Sequence, residues 1–417
     1  KDENLNLIAC TNVVIECYDD TICYRPGRIQ DYITKSTDCA FPISYTKDTR
    51  QVKFLLKYYG QIHCEPDLYY RENNHKKICH SIFCQDSNNT NSNGICGELC
   101  HGEMCHFVLK DNASFLLGGN EEKRFRNNIG ESNGAKSQKK KLLEEALGQY
   151  CVDFPNDAIT INKFKSNGGP DPALDQARGA RVAIVSESDK SEAIHPGKIK
   201  KYTGGDRFWT RTLNKEGGSR ALSFKLILMS NIKPKAQDPD EAYDFREMIY
   251  NHDSKWVVNP PDDEIEQYRR RRFKMDPGFH KKIKSLGQAQ LWLMFHYFPI
   301  YKKEGIDKIP ECVKKITEEH QKDNNPYYNF IKEKVEINYV EGEEDQKTID
   351  DSKSLTLYEA FQQYKRWYPT FSPDTIMNIN QSGFKNEMIR EGRLGPLNEY
   401  NEWTGLSFRN QRAARAH

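Results

Sequence analysis

The chain has 417 residues, of which 37% are hydrophobic and 29% are charged. This length permits about two to four domains with a sizeable core, and the composition excludes a disordered chain. The net charge of +2 excludes a generally basic surface for nucleic acid, so any DNA contact must be local. No run approaches the ~18 apolar residues of a membrane helix and no signal peptide is visible, so we expect no membrane partner. The chain begins at Lys1 rather than Met, and we expect it to be a fragment of a longer protein.

The first 106 residues divide into two segments of different composition. Residues 1–70 alternate short apolar runs with turns, which predicts strands over Leu7–Cys10 and Asn12–Cys17 and a helix over Val52–Tyr59. We interpret them as a small module of mixed secondary structure. Residues 71–106 are dominated by Asn, Ser, Gly, His and Cys, and we interpret them as an insertion.

The insertion carries candidate metal ligands: Cys79, Cys84, Cys96, Cys100 and Cys105. With the neighbouring histidines they supply enough ligands for one tetrahedral Zn²⁺ ion, which would stabilise a segment that has little core of its own. The spacings are looser than the closely paired cysteines of zinc fingers, so a loop with incidental cysteines is an equal alternative. Without a secretory signal a reduced compartment is the default, and the scattered thiols elsewhere are expected to be small buried hydrophobes.

Residues 107–260 alternate predicted strands with helices. Arg181–Val185 and Phe224–Met229 are continuous apolar runs, which predicts buried strands. Between them, Phe208–Leu213 and Ala221–Leu226 form a candidate hairpin around a glycine-rich turn.

Two further segments follow this region. Residues 261–340 have helical periodicity, most clearly over Phe279–Phe298, and residues 341–417 contain one well-defined helix at Leu355–Trp367. The chain is therefore predicted to have five parts: an N-terminal segment, an insertion, a strand-rich core, a helical subdomain and a C-terminal domain.

One stretch of the core has the order of a phosphate-binding loop. The candidate nucleotide-binding residues are Gly130, Glu131, Ser132, Asn133, Gly134, Ala135, Lys136, Ser137 and Gln138. Small residues let consecutive backbone N–H groups point at phosphates, and the helix predicted over Gln138–Leu147 adds the positive end of its dipole. Lys136 is placed to reach the β- and γ-phosphates of ATP, and the Ser137 hydroxyl is placed to hold Mg²⁺.

One position of this loop departs from the usual pattern, because Ala135 stands where glycine usually precedes the lysine. The added methyl group is tolerable only if Ala135 keeps a negative φ. We therefore expect Gly134 to turn the backbone, with Asn133 pinning the loop beside it.

Polar side chains follow both predicted buried strands. Glu187 comes directly after the first strand, where it could polarise the water that attacks a γ-phosphate and help to hold Mg²⁺. Its alternative role is to cap the next turn. Asn231 follows the second strand and could hydrogen-bond the γ-phosphate or the attacking water, although ordinary turn chemistry with Pro234 explains it equally well.

Taken together and in this order, the motifs resemble the superfamily 3 helicases. The resemblance is to the helicase half of the primase-helicase family of large nucleocytoplasmic DNA viruses, which includes poxviruses, African swine fever virus and giant viruses. It covers most of residues 107–300 and is carried by Gly130–Ser137, Val185–Glu187, Ile199–Asp206, Thr210–Leu213 and Leu226–Asn231. The block Thr203–Gly204–Gly205–Asp206 is the most specific of these motifs.

This resemblance implies an α/β fold, with a P-loop ATPase core of the AAA type, a mixed N-terminal segment, a helical lid and a winged-helix-like C-terminal tail. It implies ATP and Mg²⁺ as cofactors, with Zn²⁺ a separate possibility at the insertion. The implied partners are single-stranded and forked DNA, other copies of the chain in a ring that is usually a hexamer, and a primase domain or other replication proteins. The family's primase domain would precede Lys1, so no primase activity is expected of this chain. The implied location is the viral replication sites of the host cell cytoplasm.

The ring implies roles for three more residues. Arg246 is the candidate arginine finger that reaches the γ-phosphate of the next subunit, against the alternative of a surface arginine on a turn. The hairpin should point into the ring channel, where Lys215 and Arg220 at its tip would grip DNA phosphates. A charged tip is also what any exposed turn shows. The catalytic candidates are thus Lys136, Glu187, Asn231 and Arg246.

Two functions from different classes remain at this point. The first is an ATP-dependent DNA helicase motor that translocates on single-stranded DNA and unwinds duplex during viral genome replication. The second is a non-catalytic nucleotide- or DNA-binding scaffold, with a degenerate loop and a zinc-binding insertion that recruits replication partners. The presence of Lys136, Glu187 and Asn231 favours the motor, because a decayed site usually loses the lysine or the acid first.

Overall fold

The computed structural model describes residues 2–18, 21–64, 82–83, 102–161, 172–186, 193–205, 207–210, 218–237, 239–341, 347–372, 377, 379–390 and 394–409. The chain forms two compact units, Lys1–Lys235 with Asp240–Thr317, and Ala236–Pro239 with Glu318–His417. None of the helices in the described part of the chain has the length and apolar character that crossing a bilayer requires.

Short strands and helices of varied length make up both units. The strands are β1 (Leu7–Ala9), β2 (Val14–Tyr18), β3 (Thr21–Arg25), β4 (Phe125–Ile129), β5 (Cys151–Phe154), β6 (Val182–Ser186), β7 (Arg207–Thr210), β8 (Gly218–Ala221), β9 (Lys225–Ser230), β10 (Glu247–Asn251), β11 (Lys255–Val257), β12 (Arg272–Lys274), β13 (Val335–Ile337), β14 (Tyr339–Glu341), β15 (Lys347–Ile349), β16 (Ser354–Thr356), β17 (Glu402–Thr404) and β18 (Leu406–Phe408). The α-helices are α1 (Arg50–Ile62), α2 (Glu103–Ala113), α3 (Lys136–Leu147), α4 (Pro172–Gln176), α5 (Pro196–Thr203), α6 (Glu241–Asp244), α7 (Glu264–Arg270), α8 (Phe279–Glu304), α9 (Glu311–Asn324), α10 (Pro326–Lys334), α11 (Leu357–Phe371) and α12 (Gln381–Arg390).

A five-stranded parallel sheet organises the first unit. Its strand order is β10-β4-β9-β6-β5. Strand β4, which comes first of these five in the chain, therefore lies between β10 and β9. The register places Ile129 beside both Ser230 and Asn251, and Ser186 beside Met229. The carboxyl ends of β4, β6, β9 and β10 therefore meet at one edge of the sheet, which is where open α/β sheets bind ligands.

The apolar strands β6 and β9 form where the sequence predicts them. Both are buried over almost their whole length, as expected for parallel strands that are covered on both faces. Each begins and ends one residue later than the predicted strands Arg181–Val185 and Phe224–Met229. The parallel sheet with its helices confirms the predicted α/β class.

The central strand β4 is polar and yet buried at all five positions. Because side chains alternate along a strand, Arg126 and Asn128 point to the same face of the sheet. The Nε of Arg126 lies 2.9 Å from both carboxylate oxygens of Asp111 in α2, and Nη2 lies 2.7 Å from Oδ1. Tyr250 in β10 donates its hydroxyl to Asp111 Oδ2 at 2.9 Å. These hydrogen bonds offset the desolvation of a charged pair inside the core.

A long helix, α8, supports the helical layer beside the sheet. Helices α1, α2 and α3 all pack against it, and their buried apolar side chains share one core with it. Gly287 permits the closest of these approaches, since a Cβ atom there would lie 2.6 Å from the Cβ of Glu145 in α3. The predicted helix over Phe279–Phe298 is confirmed and continues to Glu304.

The N-terminal residues pack onto this same core. Strands β1, β2 and β3 form an antiparallel sheet, in which β1 and β2 lie close to the two predicted strands and β3 is an additional strand. Ile8 and Ile15 belong to the same cluster of buried side chains as α8. Burial raises the pKa of the Cys10 and Cys17 thiols to about 12, as the prediction of small buried hydrophobes implies. The division of the chain into five parts stays a prediction.

The second unit has an aromatic core of its own. Phe330 of α10, Tyr364 of α11 and Phe384 of α12 pack together, with ring centroids 4.9–6.2 Å apart. Short antiparallel pairs, β13 with β18, β14 with β15 and β16 with β17, complete this unit. The helix predicted over Leu355–Trp367 begins two residues later, because Thr356 caps it by accepting the Glu359 N–H at 3.1 Å. The winged-helix-like character of this tail stays a prediction.

The predicted hairpin is only partly right. Strand β7 pairs antiparallel with β8, but the second strand predicted over Ala221–Leu226 is wrong, since β8 ends at Ala221 and Leu226 lies in β9. Ser223 separates the two strands and donates its hydroxyl to the Ala180 carbonyl at 2.9 Å. When an apolar run continues from a strand of one sheet into a strand of another, its hydrophobic periodicity does not show where the first strand ends.

We predict that Asp111→Ala lowers the free energy of unfolding by about 3–5 kcal/mol, because it leaves the Arg126 guanidinium buried without a carboxylate. Urea unfolding measures this loss. The control is Asp48→Ala, which removes one partner of an exposed pair with Lys53 at 3.3 Å. Equal effects of the two substitutions would contradict the assignment.

Candidate functional site

The predicted phosphate loop joins the end of β4 to the start of α3 at the carboxyl edge of the sheet. Two neighbouring strands hold its beginning. The Gly130 N–H donates to the Ser230 carbonyl at 3.3 Å, and the Ile129 carbonyl accepts from the His252 N–H at 2.7 Å. Since α3 begins at Lys136, the N–H groups of its first turn, which have no acceptor within the helix, face the loop.

The loop turns at different residues from those expected. Asn133 and Ala135 have φ values of 64° and 63°, whereas Gly134 has no φ in the left-handed region. The predictions that Ala135 keeps a negative φ and that Gly134 turns the chain are therefore wrong. The glycines serve close approach instead. A Cβ atom on Gly130 would lie 2.6 Å from the His252 carbonyl oxygen, and one on Gly134 would lie 3.0 Å from that of Glu131.

A buried polar cluster beneath the loop connects β4, α3 and the end of β10. The Asn128 Oδ1 accepts from Lys139 Nζ at 2.9 Å and lies 3.1 Å from His252 Nε2. The Nδ1 of His252 donates to the Gly134 carbonyl at 2.9 Å. Burial lowers the pKa of Lys139 to about 8. Burial, reinforced by the charge of Lys139, also holds the pKa of His252 well below its usual 6.5.

Lys136 lies over the loop with its side chain largely buried. Its Nζ donates to the Gly130 carbonyl and, at 2.9 Å, to the Glu131 carbonyl. Lys136 is 8% exposed, and burial lowers its pKa, with no contribution from a charged group among the residues that the structure describes. Both of these acceptors are neutral, and a buried ammonium group with neutral acceptors gains strongly from an added anion.

Two other predicted site residues are exposed beside the loop. Asn231 directly follows Ser230, the residue that accepts the Gly130 N–H. Ser137 lies on the first turn of α3, next to Lys136. The fold thus brings Asn231, Ser137 and Lys136 to one edge of the sheet, as the sequence predicts.

The strand that should present the acidic residue ends at the same edge. Ser186, the last residue of β6, accepts a hydrogen bond on Oγ from Lys140 Nζ at 3.0 Å. Lys140 also forms an ion pair with Asp153 at 2.5 Å. Glu187 follows Ser186 and lies outside the described residues, so its role stays a prediction.

Arg246 lies at the opposite edge of the sheet. It precedes β10, and its carbonyl accepts from the Phe125 N–H at the start of β4, at 2.6 Å. The length of β4 separates this edge from the loop by about 15 Å, which is farther than an arginine side chain reaches. The Arg246 Nε donates to Thr203 Oγ1 at 3.1 Å, and Nη1 donates to the Ala242 carbonyl. Arg246 therefore contacts the Thr203–Asp206 block and cannot reach the loop of its own chain.

The two predicted DNA-binding residues have different outcomes. Lys215 lies outside the described residues. Arg220 lies within β8, paired with Phe208, so its placement at the hairpin tip is wrong. The apolar run after Ala221 leads into β9, so β8 lies earlier in the sequence than the predicted second strand and includes Arg220.

The zinc hypothesis rests mainly on undescribed residues. Cys79, Cys84, Cys96 and Cys100 lie outside the described part of the chain, while Cys105 is buried in α2 and packs in the main core. Within the described ranges, no three His, Cys, Asp or Glu side chains are grouped so that they could hold a metal ion. A zinc site stays a prediction.

Sequence reasoning misses the polar cluster beneath the loop. Lys139 belongs to a run of three lysines, and His252 lies more than 100 residues from the loop. One signal was available, since Asn127 and Asn128 directly precede the loop, where a buried parallel strand is normally apolar.

We predict that Gly130→Ala, which adds a methyl group to the loop, destabilises the protein more than Ala135→Gly, which removes one. Gly130→Ala should cost about 1–3 kcal/mol and weaken nucleotide binding, because the new Cβ meets the backbone of His252. Ala135→Gly should stay within about 1 kcal/mol of the wild type, since relief of the left-handed alanine offsets the greater freedom of glycine. Thermal unfolding and ADP titration measure both effects, and the reverse order would contradict the loop geometry.

Comparison with known proteins gives viral relatives. No family model matches the chain. "Putative helicase 184R" of Invertebrate iridescent virus 6 is 25% identical over 418 residues, which cover 96% of this chain and 38% of that protein. "Putative helicase 022R" of Frog virus 3 is 25% identical over 272 residues, which cover 64% of this chain and 26% of that protein. An apo structure of the NrS-1 C-terminal region aligns with 75% of this chain and 71% of its own at 9% identity and a TM-score of 0.40.

The chain spans less than two fifths of the length of these viral relatives. The matches confirm the resemblance that its motifs show. The chain is homologous to proteins of large DNA viruses that are named "putative helicase" or "putative primase", in agreement with the viral primase-helicase family.

Proposed function

We propose that this chain is the ATP-hydrolysing motor of a superfamily 3 DNA helicase that acts in viral genome replication. One observation carries the proposal: Lys136, at the helix N-terminus that follows the loop after β4, presents a buried ammonium group that has no charged partner within the described part of the chain. Backbone N–H groups and a cation in this arrangement suit a polyphosphate. The similarity to viral helicases supports the same activity.

The contacts of Lys136 indicate how a triphosphate would be bound. Its Nζ donates to the carbonyls of Gly130 and Glu131, which are neutral acceptors. Phosphate oxygens carry a full charge and form stronger hydrogen bonds with an ammonium group than carbonyls do. We therefore expect Lys136 to exchange these carbonyls for the β- and γ-phosphates of ATP.

Three residues at the carboxyl edge would complete the chemistry. The exposed Ser137 hydroxyl, beside Lys136, suits Mg²⁺ as an oxygen ligand, and Glu187 is proposed as the second ligand. When bound, the ion neutralises charge on the β- and γ-phosphates. Glu187 would polarise the attacking water, and Asn231 would hydrogen-bond that water or the γ-phosphate.

The position of Arg246 supports sites that are shared between subunits. At about 15 Å from its own loop it cannot complete that site, but at the far edge of the sheet it can serve the site of a neighbour. A closed ring of identical subunits repeats this heterologous contact at every interface. We propose a homo-hexamer in which Arg246 acts as the arginine finger.

The remaining assignments follow from the family. The β7–β8 hairpin, with Lys215 in the segment that joins its strands, is proposed to contact single-stranded and forked DNA in the ring channel. A primase domain or other replication proteins are the proposed partners, at viral replication sites in the host cytoplasm. The scaffold alternative differs in one respect that can be measured, since it binds nucleotide without turnover.

We predict that Lys136→Ala reduces ATP turnover by about 10- to 100-fold, because a charge-assisted hydrogen bond to the transferred phosphate is lost. Phosphate release with and without single-stranded DNA measures the effect. The matched control is Lys141→Ala, an exposed lysine on the same helix. Equal turnover in the two variants, or none in the wild type, would contradict the motor.

We predict that Arg246→Ala abolishes hydrolysis while nucleotide affinity stays close to that of the wild type, because the finger acts on the neighbour's transition state. Mixing Arg246→Ala with Lys136→Ala subunits should restore part of the turnover, since some interfaces then combine an intact loop with an intact finger. A mixture as inactive as its components would contradict the intersubunit site.

A further inference from the structure

We propose that a pocket beside the phosphate loop is a subsite for the purine base of the nucleotide, an inference that rests on the proposed function. The pocket has a volume of about 330 Å³, within the range of small-molecule sites. Its walls come from α1, from the loop and first turn of α3, from β11, and from the start of α8.

The position of the pocket fits the base of a nucleotide whose phosphates contact Lys136. Asn133, Ala135 and Gln138 line the pocket and flank Lys136 in the sequence on both sides. The phosphate-binding residues and the pocket therefore share the same turn of chain. A ligand that extends from one to the other has a polyanionic end and an apolar end, as a nucleoside triphosphate does.

The chemistry of the walls fits a flat aromatic ring. Phe54, Tyr58, Trp256 and Phe279 line the pocket, and the Tyr58 ring centroid lies 5.3 Å from that of Trp256 and 5.0 Å from that of Phe279. Trp256 is only partly buried, so the protein itself leaves part of this residue uncovered. Base stacking on aromatic side chains is favourable for every base and is stronger for larger ring systems, which favours a purine over a pyrimidine.

One residue that lines the pocket has a side-chain oxygen without a hydrogen-bond partner among the described residues. Gln138 Oε1 is buried and accepts no hydrogen bond from the described residues. A buried amide without a partner costs free energy that a ligand recovers by supplying one. The amino and ring N–H groups of purines are donors of the required kind.

Two contacts connect the wall of the pocket to the loop. The backbone N–H of Trp256 donates to the Asn133 carbonyl at 3.1 Å, and Lys255 forms an ion pair with Glu131. Tyr58 belongs to α1, in the segment that the sequence separates from the ATPase core. The N-terminal segment therefore supplies part of the nucleotide site.

Titration of the full chain with ADP, CDP and pyrophosphate tests this proposal. Trp256→Ala should weaken ADP binding about tenfold and leave pyrophosphate binding unchanged, since only ADP has a base to stack. Trp256→Phe, which keeps an aromatic ring, should retain most of the ADP affinity. Val258→Ala, at an exposed residue two positions away, should change neither. The wild type should bind ADP more tightly than CDP.

The outcomes separate the two proposals. An unchanged ratio of ADP to pyrophosphate affinity in Trp256→Ala, or equal wild-type affinities for ADP and CDP, overturns the base subsite. If Lys136→Ala leaves ADP and pyrophosphate affinity as in the wild type, the proposed function itself fails. Should Trp256→Ala not fold, as judged by its unfolding temperature, Gln138→Ala takes its place, with the same expected loss for ADP alone.

Discussion

The carboxyl edge of the parallel sheet, with the loop that follows β4, depends on the buried contacts of Asn128. Its amide oxygen accepts from Lys139 and lies against the ring of His252, whose other nitrogen donates to the Gly134 carbonyl. Because buried polar groups are costly when unpaired, these contacts fix β4, α3 and the end of β10 relative to one another. The loop keeps its shape because Lys139 donates to Asn128 and His252 donates to the Gly134 carbonyl.

This constraint explains why the loop tolerates alanine ahead of its lysine. The left-handed turns fall at Asn133 and Ala135, and a surrounding structure that over-determines the backbone can hold such a conformation at a cost of about 1–3 kcal/mol. Gly130 and Gly134 are needed because other backbone atoms lie so close. The departure from the usual pattern is therefore compatible with a working phosphate loop, and is weak evidence for decay.

Much of the fold follows from local pattern, and the site follows only in part. The apolar runs of β6 and β9 and the periodicity of α8 predict these elements within a few residues. Strand β4 is not recognisable in this way, because its polar side chains hydrogen-bond partners such as Asp111 and Glu247 that are distant in sequence. The aromatic pocket likewise joins α1 to β11 and α8, which no local pattern connects. The sequence identifies Arg246 as a candidate arginine finger. Its position at the edge of the sheet opposite to the loop depends on the strand order, which the sequence does not show.

The central claim is that Lys136 exchanges loop carbonyls for phosphates. A structure of the chain with Mg²⁺ and a non-hydrolysable ATP analogue tests it most directly. We expect phosphates enclosed by residues 130–137, with Lys136 Nζ within hydrogen-bonding distance of a phosphate oxygen and no longer bound to the Gly130 carbonyl. A nucleotide bound elsewhere, with Lys136 still bound to the Gly130 and Glu131 carbonyls, would contradict it.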